Sequence, residues 1–207
     1  NVYSATKSFT SCAVGFAVQE GLLSLDEKLT DAFREDLPDV VDENLQQATV
    51  RDLLTMCLGQ EEAHLMGEQR PFYQENDWVK MSLAIPFKFK PGTHFVYNNV
   101  GPYLAGILVQ RRSGCDLVSY LTPRLFDHLE IKRPMWETDP LGRSFGAGGL
   151  FLRVSFFRHQ NLLHLGNQRV LIIRIDGSGV YFRTCLSDTV VDRIIFSSLM
   201  LGSRNVA

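Results

Sequence analysis

No apolar run in this 207-residue chain approaches the roughly eighteen residues a membrane-spanning helix needs. Its four cysteines, Cys12, Cys57, Cys115 and Cys185, stand singly, so no Cys-x-x-Cys spacing marks a metal or dithiol redox site, and their scatter favours reduced thiols in a cytoplasmic setting. Neither charge sign dominates: the net charge is −2, and the basic pairs Arg111-Arg112 and Lys132-Arg133 are too short and isolated for a phosphate track, which argues against a nucleic-acid partner. Internal repeats and low-complexity tracts are absent as well. A hydrophobic content of 45% against 21% charged residues is enough to build one globular core.

What is present is a pair of polar constellations. Ser4-Ala5-Thr6-Lys7 sets a hydroxyl and an amine three residues apart, and on a helix those positions share a face, so Lys7 can act as base to Ser4. A serine followed at that spacing by a lysine arises roughly once by chance in a chain of this length, so the motif needs company. Tyr97-Asn98-Asn99 supplies it. A Pro91-Gly92 turn and the alternating stretch Phe95, Val96, Tyr97 precede it, and helical periodicity begins at Val100, so Tyr97 is expected at a strand-to-helix junction. Without Ser4 and Lys7, the plainer reading of Tyr97 is a half-buried aromatic with its hydroxyl in water.

The histidines add no metal site. His159 and His164, five apart, would fall on different faces of a helix, strand alternation turns His94 away from Tyr97, and His64 follows Glu61-Glu62 in a polar loop where a solvated role is expected.

Helix signals fill the middle of the chain. Ala13, Phe16, Ala17 and Glu20 mark a helix that Gly21 ends, Thr49 with Asp52 forms a capping box, and a helix over 76–84 stops before Pro86. Leu104, Ile107, Leu108 and Arg111 give a stripe of 3.6-residue period; Leu117, Tyr120, Leu121 and Leu125 give another, with Pro123 as a kink or break. Beyond Arg169, residues 170–175, 180–182 and 189–196 read as strands, and Asp176-Gly177 between the first two is a hairpin-turn signal.

In this order the motifs resemble the penicillin-recognising serine hydrolases, the family of class C β-lactamases, D-alanyl-D-alanine carboxypeptidases and related esterases, whose Ser-x-x-Lys signature is catalytic. Val2-Tyr3-Ser4-Ala5-Thr6-Lys7-Ser8-Phe9 is similar to the nucleophile helix, residues 21–28 and 49–56 to the stretches after it, residues 91–99 to the Pro-Gly-x-x-Phe-x-Tyr-x-Asn segment, and Gly146-Ala147-Gly148-Gly149-Leu150 to the glycine-rich turn. The resemblance runs to about Val154, with 155–207 matching weakly, and implies one α+β domain over 1–207: a β-lactamase/transpeptidase-like fold, helix-rich with an incomplete antiparallel sheet. By the same resemblance Ser4 is the acylated nucleophile, Lys7 and Tyr97 share base and acid duty, and Asn99 holds Lys7 and the substrate carbonyl. The substrate is then a small molecule or peptide, and neither cofactor nor metal is called for.

Two departures shape the expectation. Family members carry strands ahead of the nucleophile helix, whereas only Asn1, Val2 and Tyr3 precede Ser4 here. They also carry a third motif, Lys or His, then Thr or Ser, then Gly, and no Lys-Thr-Gly or His-Thr-Gly occurs; Asp176-Gly177 is the nearest substitute as a substrate-binding pair. Phe156-Phe157-Arg158-His159-Gln160 interrupts the region where the family continues with a polar helix start, as a deletion or an altered reading frame would. Three classes of function stay open: an acyl-transferring hydrolase on an ester, a β-lactam or a D-amino-acid peptide; a silent binding protein that keeps the cleft; and a truncated product with no independent function. Oligomeric state is not set by the sequence.

Overall fold

The computed structural model describes residues 1–153 in full and the backbone of 161–165, 169–176 and 179–185. A single 3-10 turn, Tyr3–Ala5, leads into α1, Thr6–Gln19, which ends where Gly21 adopts a left-handed φ of 73°. Short helices follow: α2, Leu29–Ala32; α3, Glu43–Gln47, whose N-cap Asp42 accepts the Leu45 N–H; and α4, Val50–Thr55. The capping box of Thr49 and Asp52 opens α4 as its spacing predicts. Helix α5, Trp78–Ala84, starts two residues later than the sequence suggests, because the side chain of Asp77 takes the N-cap and accepts the Val79 N–H.

The body is organised around α6, Val100–Ser113, in which every residue from Val100 to Val109 is buried. A helix apolar all round must be covered on every side; α1 and α4 pack on it, and α7, Leu117–Leu121, closes a further side. Pro123 breaks α7 as expected, and the chain continues as a π-helical turn, Thr122–Phe126. Arg111 and Arg112 lie in the last turn of α6 and are paired with Asp36 and Glu27.

Two glycines let the elements approach. A Cβ on Gly101 would collide with the carbonyl oxygen of Leu53, so α4 and α6 meet in backbone contact there. A Cβ on Gly146 would lie 2.6 Å from the Pro102 carbonyl oxygen and 3.2 Å from the Thr10 methyl, which wedges the 145–149 turn between α1 and α6. Gly101→Ala is expected to cost about 1–3 kcal/mol of stability by overpacking, read as a lower urea midpoint at unchanged slope; an unshifted midpoint would show that the helices can part freely.

Strand content is small and antiparallel. β1, Met135–Trp136, pairs with β2, Leu150–Phe151, and neither strand is foreshadowed by a run of apolar alternation. β3, Asn161–Leu165, β4, Arg169–Asp176, and β5, Gly179–Cys185, form a second sheet in the order β3-β4-β5. The apolar runs at 170–175 and 180–182 are therefore strands, and Asp176 pairs with Gly179 across the Asp-Gly signal, as a hairpin requires. The expected strand at 189–196 lies outside the described residues. Because His164 sits on β3, the helical-face argument applied to it and His159 falls away; its short apolar run fits either period, and pairing with β4 settles it.

Candidate active site

The nucleophile turn is fixed from behind by β2. The Val2 N–H donates to the Leu150 carbonyl at 2.8 Å, and the Leu150 N–H donates back to Thr6 Oγ1 at 3.2 Å, inside the first turn of α1. Tyr3, just ahead of Ser4, takes a φ of 47° with its ring exposed, a backbone state that bulky residues rarely adopt and that clusters at functional sites.

Ser4 Oγ stands between two proton-carrying groups. Lys7 Nζ is 3.1 Å away, one helical turn on, and the Tyr97 hydroxyl donates to Ser4 Oγ at 2.8 Å from 93 residues away in the chain. The Lys7 amine also lies 5.2 Å from the centre of the Tyr97 ring. Its other partner is the Ala147 carbonyl, at 2.7 Å, on the turn that Gly146 allows between the helices. Trp136 braces that turn, its indole N–H lying 3.0 Å from the Phe145 carbonyl and 3.1 Å from that of Gly148.

Lys7 is 3% exposed. Burial, and secondarily the positive charge of Arg70, pull its pKa from the ordinary 10.5 down to about 7, so near neutrality about half the amines are free bases able to accept a proton.

Tyr97 reaches Ser4 from an extended segment rather than from a strand. Among the described residues no strand lies beside residues 95–97; a backbone bond from the Val96 N–H to the Met56 carbonyl, 3.1 Å, anchors them, and α6 begins at Val100 as expected. His94 stacks on Phe89, ring centres 4.2 Å apart, and takes no part in the cluster.

Asn99 is placed differently from what the resemblance implies. Its Nδ2 donates to the Leu65 carbonyl at 3.0 Å, and its Oδ1 is buried with no hydrogen-bond partner among the described residues. Lys7 is held instead by Ser4 and Ala147, so Asn99 does not clamp it. Asp176 closes β4, and Gly177 lies outside the described residues.

Sequence reasoning missed the residues that seat this corner. Asn98 is 4% exposed and works as a hub: its Oδ1 accepts the N–H groups of His64 (3.0 Å) and Val100 (3.1 Å), and its Nδ2 donates to Gln60 and to the Glu62 carbonyl. The 60–65 loop is thereby knitted to the start of α6, and His64 is half-buried in that seam rather than solvated, with its pKa lowered by burial. Asn98 accepts the N–H two residues on, at Val100, so an asparagine just ahead of the N-cap of a buried helix, where it can form such a turn, was the available signal.

A hydroxyl flanked by a buried amine of lowered pKa and by a phenol is the arrangement that a nucleophilic serine with two proton-transfer partners would require. The chain belongs to the β-lactamase family, whose model matches residues 1–153. It is 32% identical to a lovastatin esterase of Penicillium rubens, the match covering 62% of this chain and 37% of that protein, and 30% identical to the acyltransferase calJ of Penicillium decumbens, covering 64% and 36%. Among solved structures it shares the fold of a β-lactamase/D-alanine carboxypeptidase from Pseudomonas syringae, with a TM-score of 0.56 at 20% identity over 72% of this chain and 46% of that one. It also shares the fold of a putative 6-aminohexanoate-dimer hydrolase from Bacillus anthracis, with a TM-score of 0.62 at 16% identity over 76% and 45%. The chain thus spans less than half the length of the relatives it matches. The helix-rich α+β fold of this family is the one expected from the motifs.

Among the described residues no helix is long and apolar enough to cross a membrane, and no three His, Cys, Asp or Glu side chains gather as metal ligands would.

Proposed function

We propose that this chain is a serine hydrolase that transfers an acyl group from an ester to water through Ser4. The observation that carries the proposal is the suspension of Ser4 Oγ between Lys7 Nζ at 3.1 Å and the Tyr97 hydroxyl at 2.8 Å, with Lys7 buried and its pKa near 7. In the forward step the neutral Lys7 amine takes the Ser4 proton as Oγ attacks the acyl carbon. The Tyr97 hydroxyl gives its proton to the departing alkoxide and regains one from the Lys7 ammonium, which leaves an acyl-serine and a free alcohol. Water then attacks the acyl-serine, and its proton returns through the same pair to Ser4. The Ala147 carbonyl occupies one N–H of Lys7 and so aims the amine's lone pair toward Ser4.

The backbone N–H of Ser4 is one oxyanion donor in this reading, with the second drawn from the position of the third motif, where Asp176 and Gly177 are the substrate-side candidates. Asn99, whose Oδ1 has no hydrogen-bond partner among the described residues, stays a substrate-side candidate by the family resemblance. An ester is preferred to a β-lactam or a D-amino-acid peptide because the two curated relatives named above are an esterase and an acyltransferase. The silent binding protein is the competing reading.

A fluorophosphonate or a fluorescent penicillin, followed by intact-mass and peptide mapping, tests the proposal. One adduct on the peptide containing Ser4 is expected, forming faster as pH rises through about 7 because the reactive form is the neutral amine. A folded chain that stays unlabelled from pH 6 to 9 would sink the hydrolase reading in favour of the silent one.

A further inference from the structure

Arg111, Arg143 and Arg70 differ in how closely they are matched by counter-charges. Arg111 makes two bonds to Asp36, at 2.5 and 2.9 Å, and Arg143 lies between Asp77 at 2.9 Å and Asp139 at 2.6 Å. Arg70 has one long contact, 3.4 Å to Glu137, whose side chain is 39% exposed, and its Nε is buried with no hydrogen-bond partner among the described residues. A buried guanidinium nitrogen left unpaired is costly and calls for a reason.

The place where Arg70 is seated supplies one. Its guanidinium lies 4.7 Å from the centre of the Phe145 ring, and Glu137 exchanges backbone bonds with Phe145 and Gly149. Arg70 is therefore docked on the same 145–149 turn whose Ala147 carbonyl fixes Lys7. Tyr97, from the segment before α6, lies against the Lys7 amine, while Arg70, from the 3-10 turn Arg70–Phe72, and Glu137, beside β1, meet the 145–149 turn that holds it. A cation matched by a close carboxylate pair presents little net field to a third group, whereas one with a single distant, half-solvated partner keeps most of its field.

We propose that Arg70 is a positioning residue of the site, an under-neutralised cation, fixed on the glycine-rich turn, whose field adds to burial in disfavouring a proton on the Lys7 amine. The role rests on the reading of Lys7 as the base for Ser4, yet it concerns proton binding alone and can be measured without turnover. The second cause of the lowered Lys7 pKa, after burial, is the charge of Arg70, which agrees in direction with the seating.

The test is an NMR titration of the chain labelled with ε-13C lysine, the Lys7 signal being assigned by its disappearance in Lys7→Met. Arg70→Gln is expected to raise the Lys7 midpoint by roughly half a unit to one unit, and Arg70→Lys to leave it near the wild-type value because charge is kept. Glu137→Gln is expected to lower the midpoint, since Arg70 then loses its counter-charge; this variant carries the test if Arg70→Gln fails to fold. An unchanged midpoint in folded Arg70→Gln, an equal rise in Arg70→Lys, or a rise in Glu137→Gln would each overturn the proposal. If the midpoint moves as expected in a chain that no acylating probe labels, the hydrolase reading fails and this one stands; labelling with an immobile midpoint gives the reverse.

Discussion

Lys7→Met is expected to lower the proposed acylation of Ser4 by about a hundredfold to ten-thousandfold, the span usual for loss of a general base, while making the chain more stable. Both effects have one origin. In the folded chain Lys7 has a pKa of about 7 against the ordinary 10.5, because it is buried and, secondarily, feels the positive charge of Arg70. Between those values an unfolded chain binds the proton that the folded chain has released, so wild-type stability rises with pH across the window and is poorest at and below 7. At neutral pH the mismatch corresponds to about 4 kcal/mol against folding. Methionine removes it together with the bonds to Ser4 and Ala147, worth about 1 kcal/mol each, which leaves a net gain of about 2 kcal/mol that shrinks toward pH 10. Urea unfolding of both chains at pH 6, 7 and 9, beside probe labelling with Ser4→Ala as the zero, reads the two effects together. A Lys7→Met chain that labels at the wild-type rate would remove Lys7 from the chemistry; one that is less stable at pH 6 would show that the lysine is not strained by its burial.

Asp139→Ala is the largest loss of stability expected here. The carboxylate, with its side chain 0% exposed, accepts from the Tyr103 hydroxyl at 2.6 Å, from Arg143 Nε at 2.6 Å, and from the backbone N–H groups of Leu141 and Arg143 at 2.9 Å. Burial and this carboxylate hold the Tyr103 phenol well above the ordinary tyrosine range, so the hydroxyl stays a donor. Arg143 bridges onward to Asp77, the N-cap of α5. Deleting one partner of such a group strands a guanidinium and a phenol in the interior, at a cost of about 3–5 kcal/mol. Glu61→Ala is the comparison: its bond to Lys88 is as short, 2.6 Å, but both side chains are more than half exposed, so the change is expected to cost no more than about 0.5 kcal/mol. Equal midpoints for the two variants would mean that the network around Asp139 is not coupled to folding.

The part of the site that could be read from the sequence was the part whose geometry is local. Ser4 and Lys7 are one turn apart, the Thr49–Asp52 box and the break at Pro123 depend on a few neighbours, and the Asp176–Gly179 hairpin on four residues. Tyr97 was found because a rare motif accompanied it, while its junction proved to be extended chain without a partner strand among the described residues. Arg70, Ala147 and Asn98 were not found, for different reasons. Ala147 contributes a carbonyl, which every residue has; Asn98 acts through a loop thirty-odd residues earlier, and Arg70 through a field, neither of which leaves a spacing in the sequence. Strands of two residues such as β1 and β2 are too short to show a period.

The bonds that assemble Ser4 span very different lengths of chain: 3 residues to Lys7, 93 to Tyr97, and 140 from Lys7 to Ala147. Only the first can form in an isolated helix. The others exist when α6 and the 145–149 turn have closed on α1, so on the proposed chemistry the reactivity of one hydroxyl would report whether distant parts of the chain have met. A site assembled in this way is switched off by any opening that separates those segments, however small the change at Ser4 itself, and an acylating probe therefore serves as a sensor of cooperative folding as much as of chemistry.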